Sequence, residues 1–74
     1  MRHLAIRRVK VDADGRDDYL RTLGERRDAA KRANCYFWVF EDARRRGEFM
    51  EFMEGRDPAA LLSAGDLYTE VELD

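Results

Sequence analysis

Between Tyr36 and Glu54 apolar side chains occupy both odd and even positions of an extended pattern. The run Tyr36-Phe37-Trp38-Val39-Phe40-Glu41-Asp42 is followed by Arg44-Arg45-Arg46-Gly47 and then by Glu48-Phe49-Met50-Glu51-Phe52-Met53-Glu54. This spacing predicts a β-hairpin whose loop, Ala43 to Gly47, is charged and ends in glycine, as a five-residue connection should. A loop of that length sets Phe40 opposite Met50 and Trp38 opposite Phe52. One face then carries Tyr36, Trp38, Phe40, Met50 and Phe52. The other carries Phe37, Val39, Phe49 and Met53, with Glu41 and Glu51 among them. A four-residue loop exchanges the pairings, because strand periodicity is two. Either way both faces are apolar.

The flanking segments complete the pattern. Residues 3 to 11, rich in apolar and β-branched side chains, predict a strand, broken by Asp12-Ala13-Asp14-Gly15. Residues 16 to 33 predict a helix: Tyr19, Leu20, Leu23, Ala30 and Ala33 form a stripe at helical spacing. Asp14 is the expected N-cap, with Asp17 and Asp18 in the favourable first turn. Gly24 weakens the middle, and Asn34 can take the left-handed conformation that ends a helix. Asp57-Pro58 predicts a second, short helix, Pro58 to Ala64, closed by Gly65. Residues 67 to 73 alternate strictly and predict a last strand. Leu67, Thr69, Val71 and Leu73 face one way; Tyr68, Glu70 and Glu72 face the other.

The expected order is therefore β-α-β-β-α-β, a single α+β domain over residues 1–74 in the ferredoxin-like arrangement. Four antiparallel strands carry two helices on one face. A chain of 74 residues has a small core and cannot cover both faces of such a sheet alone. Chains this small use a disulfide, a metal or a partner for stability. Cys35 is the single cysteine and His3 the single histidine, so an internal disulfide and a Cys/His zinc site are both excluded. Association with a second copy is the remaining route.

Charge narrows the classes further. There are 14 basic and 16 acidic residues, a balance that argues against a general nucleic-acid binder. The clusters Arg7-Arg8, Arg26-Arg27 and Arg44 to Arg46 read as solvated faces. The longest apolar run, Cys35 to Phe40, is far short of a membrane span. The amino terminus is interrupted by charge and lacks the features of a signal peptide. A cytoplasmic protein is expected, with no membrane and no nucleic-acid partner.

In element order, the chain resembles the dimeric α+β barrel proteins of the antibiotic-biosynthesis-monooxygenase-like type. The resemblance runs from Ala33-Asn34-Cys35-Tyr36 into the aromatic strand. It continues through Gly47-Glu48-Phe49-Met50-Glu51-Phe52-Met53-Glu54 to Asp57-Pro58-Ala59-Ala60-Leu61. The chain is shorter than the group around its second helix, which narrows any pocket. The resemblance implies a homodimer whose sheets pack face to face into a barrel, with the helices outside. It also implies, for some members, a small molecule held between sheet and helices. Those members include cofactor-independent oxygenases of aromatic substrates, haem-degrading enzymes and small isomerases or cyclases. Many relatives have no established activity.

The sequence therefore predicts a homodimer with a small-molecule-binding or assembly role. The alternative is a cofactor-independent monooxygenase, or a related isomerase or cyclase, acting on a small aromatic compound. No cofactor and no metal are implied, and no glycine-rich phosphate loop or catalytic triad is present. Phe37, Val39, Phe49 and Met53 are assigned to the dimer interface, although the sequence alone does not say which face of the sheet meets the partner. Arg27, Tyr36, Trp38, Phe52 and Tyr68 are assigned to an aromatic or apolar ligand. Trp38 can stack on a planar ligand; equally, so large a ring packs well in a core or interface. Arg27 falls inside the apolar stripe, where it can pair with a ligand carboxylate or snorkel to water. Arg26, at the edge of the stripe, is expected to be solvated. Glu51, on an apolar face, is expected to pair with an arginine of the partner. His3 lies near the chain end, and no histidine follows in residues 55 to 66, so haem chemistry is not expected. Cys35 lacks a neighbouring base and reads as a small buried apolar residue.

Overall fold

The structure, a computed structural model, describes residues 1–73. Four strands, β1 (His3–Lys10), β2 (Tyr36–Glu41), β3 (Glu48–Gly55) and β4 (Asp66–Thr69), and one helix, α1 (Arg16–Arg32), form an α+β fold. The sheet is antiparallel throughout, in the order β2-β3-β1-β4.

Helix α1 begins after a single 3₁₀ turn, Ala13–Gly15, with Gly15 rather than Asp14 at its N-cap and no side-chain cap. Its end is built as the sequence predicts. Asn34 takes φ 58°. The Cys35 N–H donates to Ala30 O at 2.8 Å and the Asn34 N–H to Lys31 O at 3.1 Å. This paired closure satisfies carbonyls the helix would otherwise leave bare.

The hairpin pairs Phe40 with Met50 and Trp38 with Phe52, the register the five-residue loop predicts. Asp42 opens the turn by accepting from the Arg44 and Arg45 N–H groups at 2.8 and 3.1 Å. Gly47 closes it at φ 91°, where an added Cβ would lie 2.5 Å from the Val11 carbonyl oxygen. Only glycine lets the loop approach the end of β1 this closely.

Two expected elements are shorter than the sequence pattern suggests. In place of a helix from Pro58 to Ala64 there is a 3₁₀ turn, Pro58–Leu61, capped by the Asp57 carboxylate accepting from the Ala59 N–H at 3.0 Å. The last strand ends at Thr69 instead of running to residue 73. Its register sets Thr69 opposite His3. Glu70 makes one more backbone bond, its N–H donating to Arg2 O at 2.9 Å.

The core is small. Ala5, Ala30, Cys35 and Leu61 are buried together between the sheet, α1 and the Pro58 turn, with Phe37, Met53 and Ala64 packed around them. Gly55 makes this packing possible, since a Cβ there would stand 2.9 Å from Cys35 Sγ. Next to this cluster, Phe49 is buried under Tyr19, ring centroids 4.7 Å apart. The Arg16 guanidinium lies 5.5 Å from the Phe49 ring centre.

Candidate functional site

The register divides the sheet into two unlike faces. On the face under α1 lie Ala5, Arg7 and Val9 of β1, Phe49, Glu51 and Met53 of β3, and Phe37, Val39 and Glu41 of β2. The opposite face carries Leu4, Ile6, Met50, Phe52, Tyr36, Trp38, Phe40 and Tyr68, together with the charged Arg8, Glu54 and Asp66, and no helix among the described residues covers it.

Phe37, Val39, Phe49 and Met53, assigned from sequence to the dimer interface, lie on the side that α1 packs against. Tyr36, Trp38, Phe52 and Tyr68, assigned to a ligand, share the open side. There Trp38 stacks on Phe52 with centroids 6.1 Å apart, and Phe40 meets Phe52 edge-on at 5.7 Å. Tyr36 is 70% exposed, Phe40 59% and Tyr68 54%. Charges that are already paired within the chain rim this patch: Lys10 with Glu48 at 3.6 Å, and Arg2 with Glu54 at 3.1 Å and with Glu70 at 2.6 Å. An apolar, aromatic centre inside a polar rim is the anatomy of a protein interface.

Arg27 stands apart from both groups. It is exposed on α1, with Asp28 as its neighbour at 3.5 Å. Its neighbour Arg26 turns inward, contrary to expectation, and pairs with Glu51 of the same chain. Glu51 is 3% exposed; Arg26 donates to Oε1, and the Tyr19 hydroxyl donates to Oε2 at 2.6 Å. Burial, and the carboxylate beside it, push the Tyr19 phenol well above the usual range. The phenol is thereby held as a hydrogen-bond donor.

Beside this cluster a cleft of about 310 Å³ opens between α1, the sheet and the Pro58 turn. Ala29, Ala30, Ala33, Phe37, Met53, Ala60 and Ala64 line it on the apolar side, with Arg7, Arg26, Glu51 and Ser63 at the polar side. Neither Arg7 nor Tyr19 stands out from the sequence pattern as a site residue. The one signal for Arg7 is that it interrupts the alternation of Ala5 and Val9 on the buried side of β1.

His3 and Cys35 have structural roles. His3 Nδ1 lies 3.1 Å from Thr69 Oγ1, tying β1 to β4. The Cys35 thiol is buried and donates weakly to Ala33 O; burial, then Asp57, raise its pKa. Among the described residues, no three His, Cys, Asp or Glu side chains converge as a metal cage, and no helix is long and apolar enough to cross a membrane. No protein-family model, curated protein or solved structure matches the chain.

Proposed function

We propose that the chain is a homodimeric small-molecule-binding domain: two copies pack the open faces of their sheets together, and each holds its ligand in the cleft under α1. The strand order β2-β3-β1-β4 supports a ferredoxin-like reading, in which the Pro58 turn would stand in the place of the second helix. The paired form would be an α+β barrel of the kind the antibiotic-biosynthesis-monooxygenase-like proteins build.

The observation that carries the reading is the uncovered aromatic face. Its size can be put on a scale. The chain exposes 5878 Å², against about 4,700 Å² for a folded monomer of this mass. The excess of about 1,100 Å² includes the exposed segment after β4, where Val71 is 75% and Leu73 89% exposed, as well as the aromatic face; one partner's share of an ordinary stable interface is about 800 Å². A second copy suits this face. Its apolar centre can meet its like. Arg8 and Asp66 on the same face, unpaired among the described residues, are opposite charges that a second copy can pair across the seam.

Binding rather than catalysis is the role the cleft favours. Glu51 is the one carboxylate lining it. Both of its oxygens are engaged, by Arg26 and Tyr19, so it is poorly placed to take a proton from a substrate.

Light scattering over a dilution series tests the assembly. A mass of two chains persisting into the low micromolar range is the expected result. A folded species with the mass of one chain throughout would overturn the reading.

A further inference from the structure

Arg7 is a half-buried cation to which the fold has given no anion. It stands on β1 directly opposite Glu51 of β3, on the face under α1. Side chains so placed project side by side. The Glu51 carboxylate, however, is turned to Arg26 and Tyr19. Among the described residues, no carboxylate oxygen comes within ion-pairing distance of Arg7. Arg7 is half-buried and lines the cleft together with Arg26. The local balance is two guanidinium groups against one carboxylate. That leaves one positive charge at a cleft whose remaining walls are alanine, phenylalanine and methionine, with Ser63 as the one other polar side chain.

No buried nitrogen of Arg7 is left without a partner, so its guanidinium is reached by water and is free to take an added anion. A guanidinium suits a carboxylate because its planar fork can donate two parallel hydrogen bonds. The rest of the cleft specifies the ligand body. The apolar side chains that make up most of its lining select a hydrocarbon or an aromatic ring. A volume of about 310 Å³ is at the small end for ligand pockets.

We propose that the cleft under α1 binds a small monocarboxylate with an apolar or aromatic body, its carboxylate on Arg7 and its body against Ala30, Ala33, Phe37 and Met53. This rests on the reading of the cleft as the small-molecule site and adds the chemical class of the ligand. Arg26 and Glu51 are the fixed frame: their mutual pairing leaves Arg7 as the group free to turn to the ligand.

The test is calorimetric titration of the unmodified protein with benzoate and, separately, with benzamide, which has nearly the same shape and no charge. Benzoate is expected to bind roughly tenfold or more tightly than benzamide, the scale of a hydrogen bond to a charged group. In Arg7→Met, which keeps most of the side-chain stem, that preference is expected to vanish. Arg7→Lys should keep part of it, since the charge remains but the fork is lost. Equal binding of the two probes would overturn the carboxylate assignment while leaving a small-molecule cleft. Binding of neither at about 10 mM would overturn both. The comparison on the unmodified chain decides the matter even if a variant fails to fold. Light scattering on the same samples reports the dimer separately.

Discussion

At the scale of single residues, the difference between Arg26 and Arg27 shows how finely a helix face is set. Both flank the apolar stripe of α1. The sheet meets the helix along Tyr19, Leu23, Arg26 and Ala30, a line displaced from the Leu20–Arg27 edge, so Leu20 is 43% exposed and Arg27 points to water. A rotation of a fraction of a turn decides which arginine is buried. The sequence, which locates the stripe but not its exact centre, placed the wrong one inside. Glu41 is a second such residue. It accepts from Arg16 Nη1 and Nη2 at 2.7 and 2.8 Å and from the Gly47 N–H at 2.8 Å, joining the start of α1 to the hairpin loop. These donors, Arg16 foremost and then the loop N–H, lower its pKa from 4.5 to about 2. A carboxylate whose folded pKa is depressed stabilises the fold above its unfolded pKa, and that stability is lost as pH falls toward the folded value. The urea midpoint of the unmodified chain should therefore drop more steeply between pH 4.5 and about 2 than that of Glu41→Gln. Parallel pH profiles for the two would show that the contact contributes nothing.

At the scale of elements, local chemistry is a good guide where an element supplies its own hydrogen bonds and a poor one where it depends on neighbours. The end of α1 needs only Asn34 in its left-handed state, and the sequence predicts it. The Pro58 segment has a cap and a proline but too few residues before Gly65 to repay helix nucleation. It settles as a single turn whose main contribution is Leu61, wholly buried. The alternation at residues 70 to 73 does not extend the strand: past Thr69, the Glu70 N–H donating to Arg2 O continues the pairing by one bond. The helix interior carries a correctable weakness. A Cβ added at Gly24 would meet nothing within 4 Å, so Gly24→Ala should stabilise the chain by about 1 kcal/mol. For a domain this small that is about 4–8 °C in Tm, provided it unfolds in one step. Thermal unfolding followed by circular dichroism checks it, and an unchanged or lowered midpoint would contradict the open space at that position.

At the scale of the whole molecule, the unequal cover of the two sheet faces dominates. One helix and one turn protect a core of a few small side chains, while four of the eight aromatic residues, Tyr36, Trp38, Phe40 and Tyr68, are exposed on the other side. If that side is where two copies meet, a charge at its centre must separate them. Trp38→Glu is expected to weaken the dimer about thirtyfold or more, the effect of removing a central aromatic anchor at an interface. The far-ultraviolet circular dichroism should be retained, since Trp38 supports nothing under α1. Sedimentation velocity on the variant reads the outcome. An unaltered dimer mass would place the contact elsewhere on the molecule.

The division of labour between sequence and tertiary structure follows from the range of the forces involved. The hairpin register, the closure of α1, the cap at Asp57 and the two-faced character of the sheet depend on residues within a few positions of one another. Alternation, turn chemistry and capping state them directly. Three things depend on contacts between distant segments: which hairpin face α1 would cover, which of two adjacent arginines would reach Glu51, and that Arg7 would be brought beside them with no carboxylate of its own. The faces of the hairpin are nearly alike in apolar content, so periodicity cannot rank them. The choice is made by the fit of Ala30, Cys35, Leu61 and Tyr19 against Ala5, Met53 and Phe49, and only the packed chain supplies that fit.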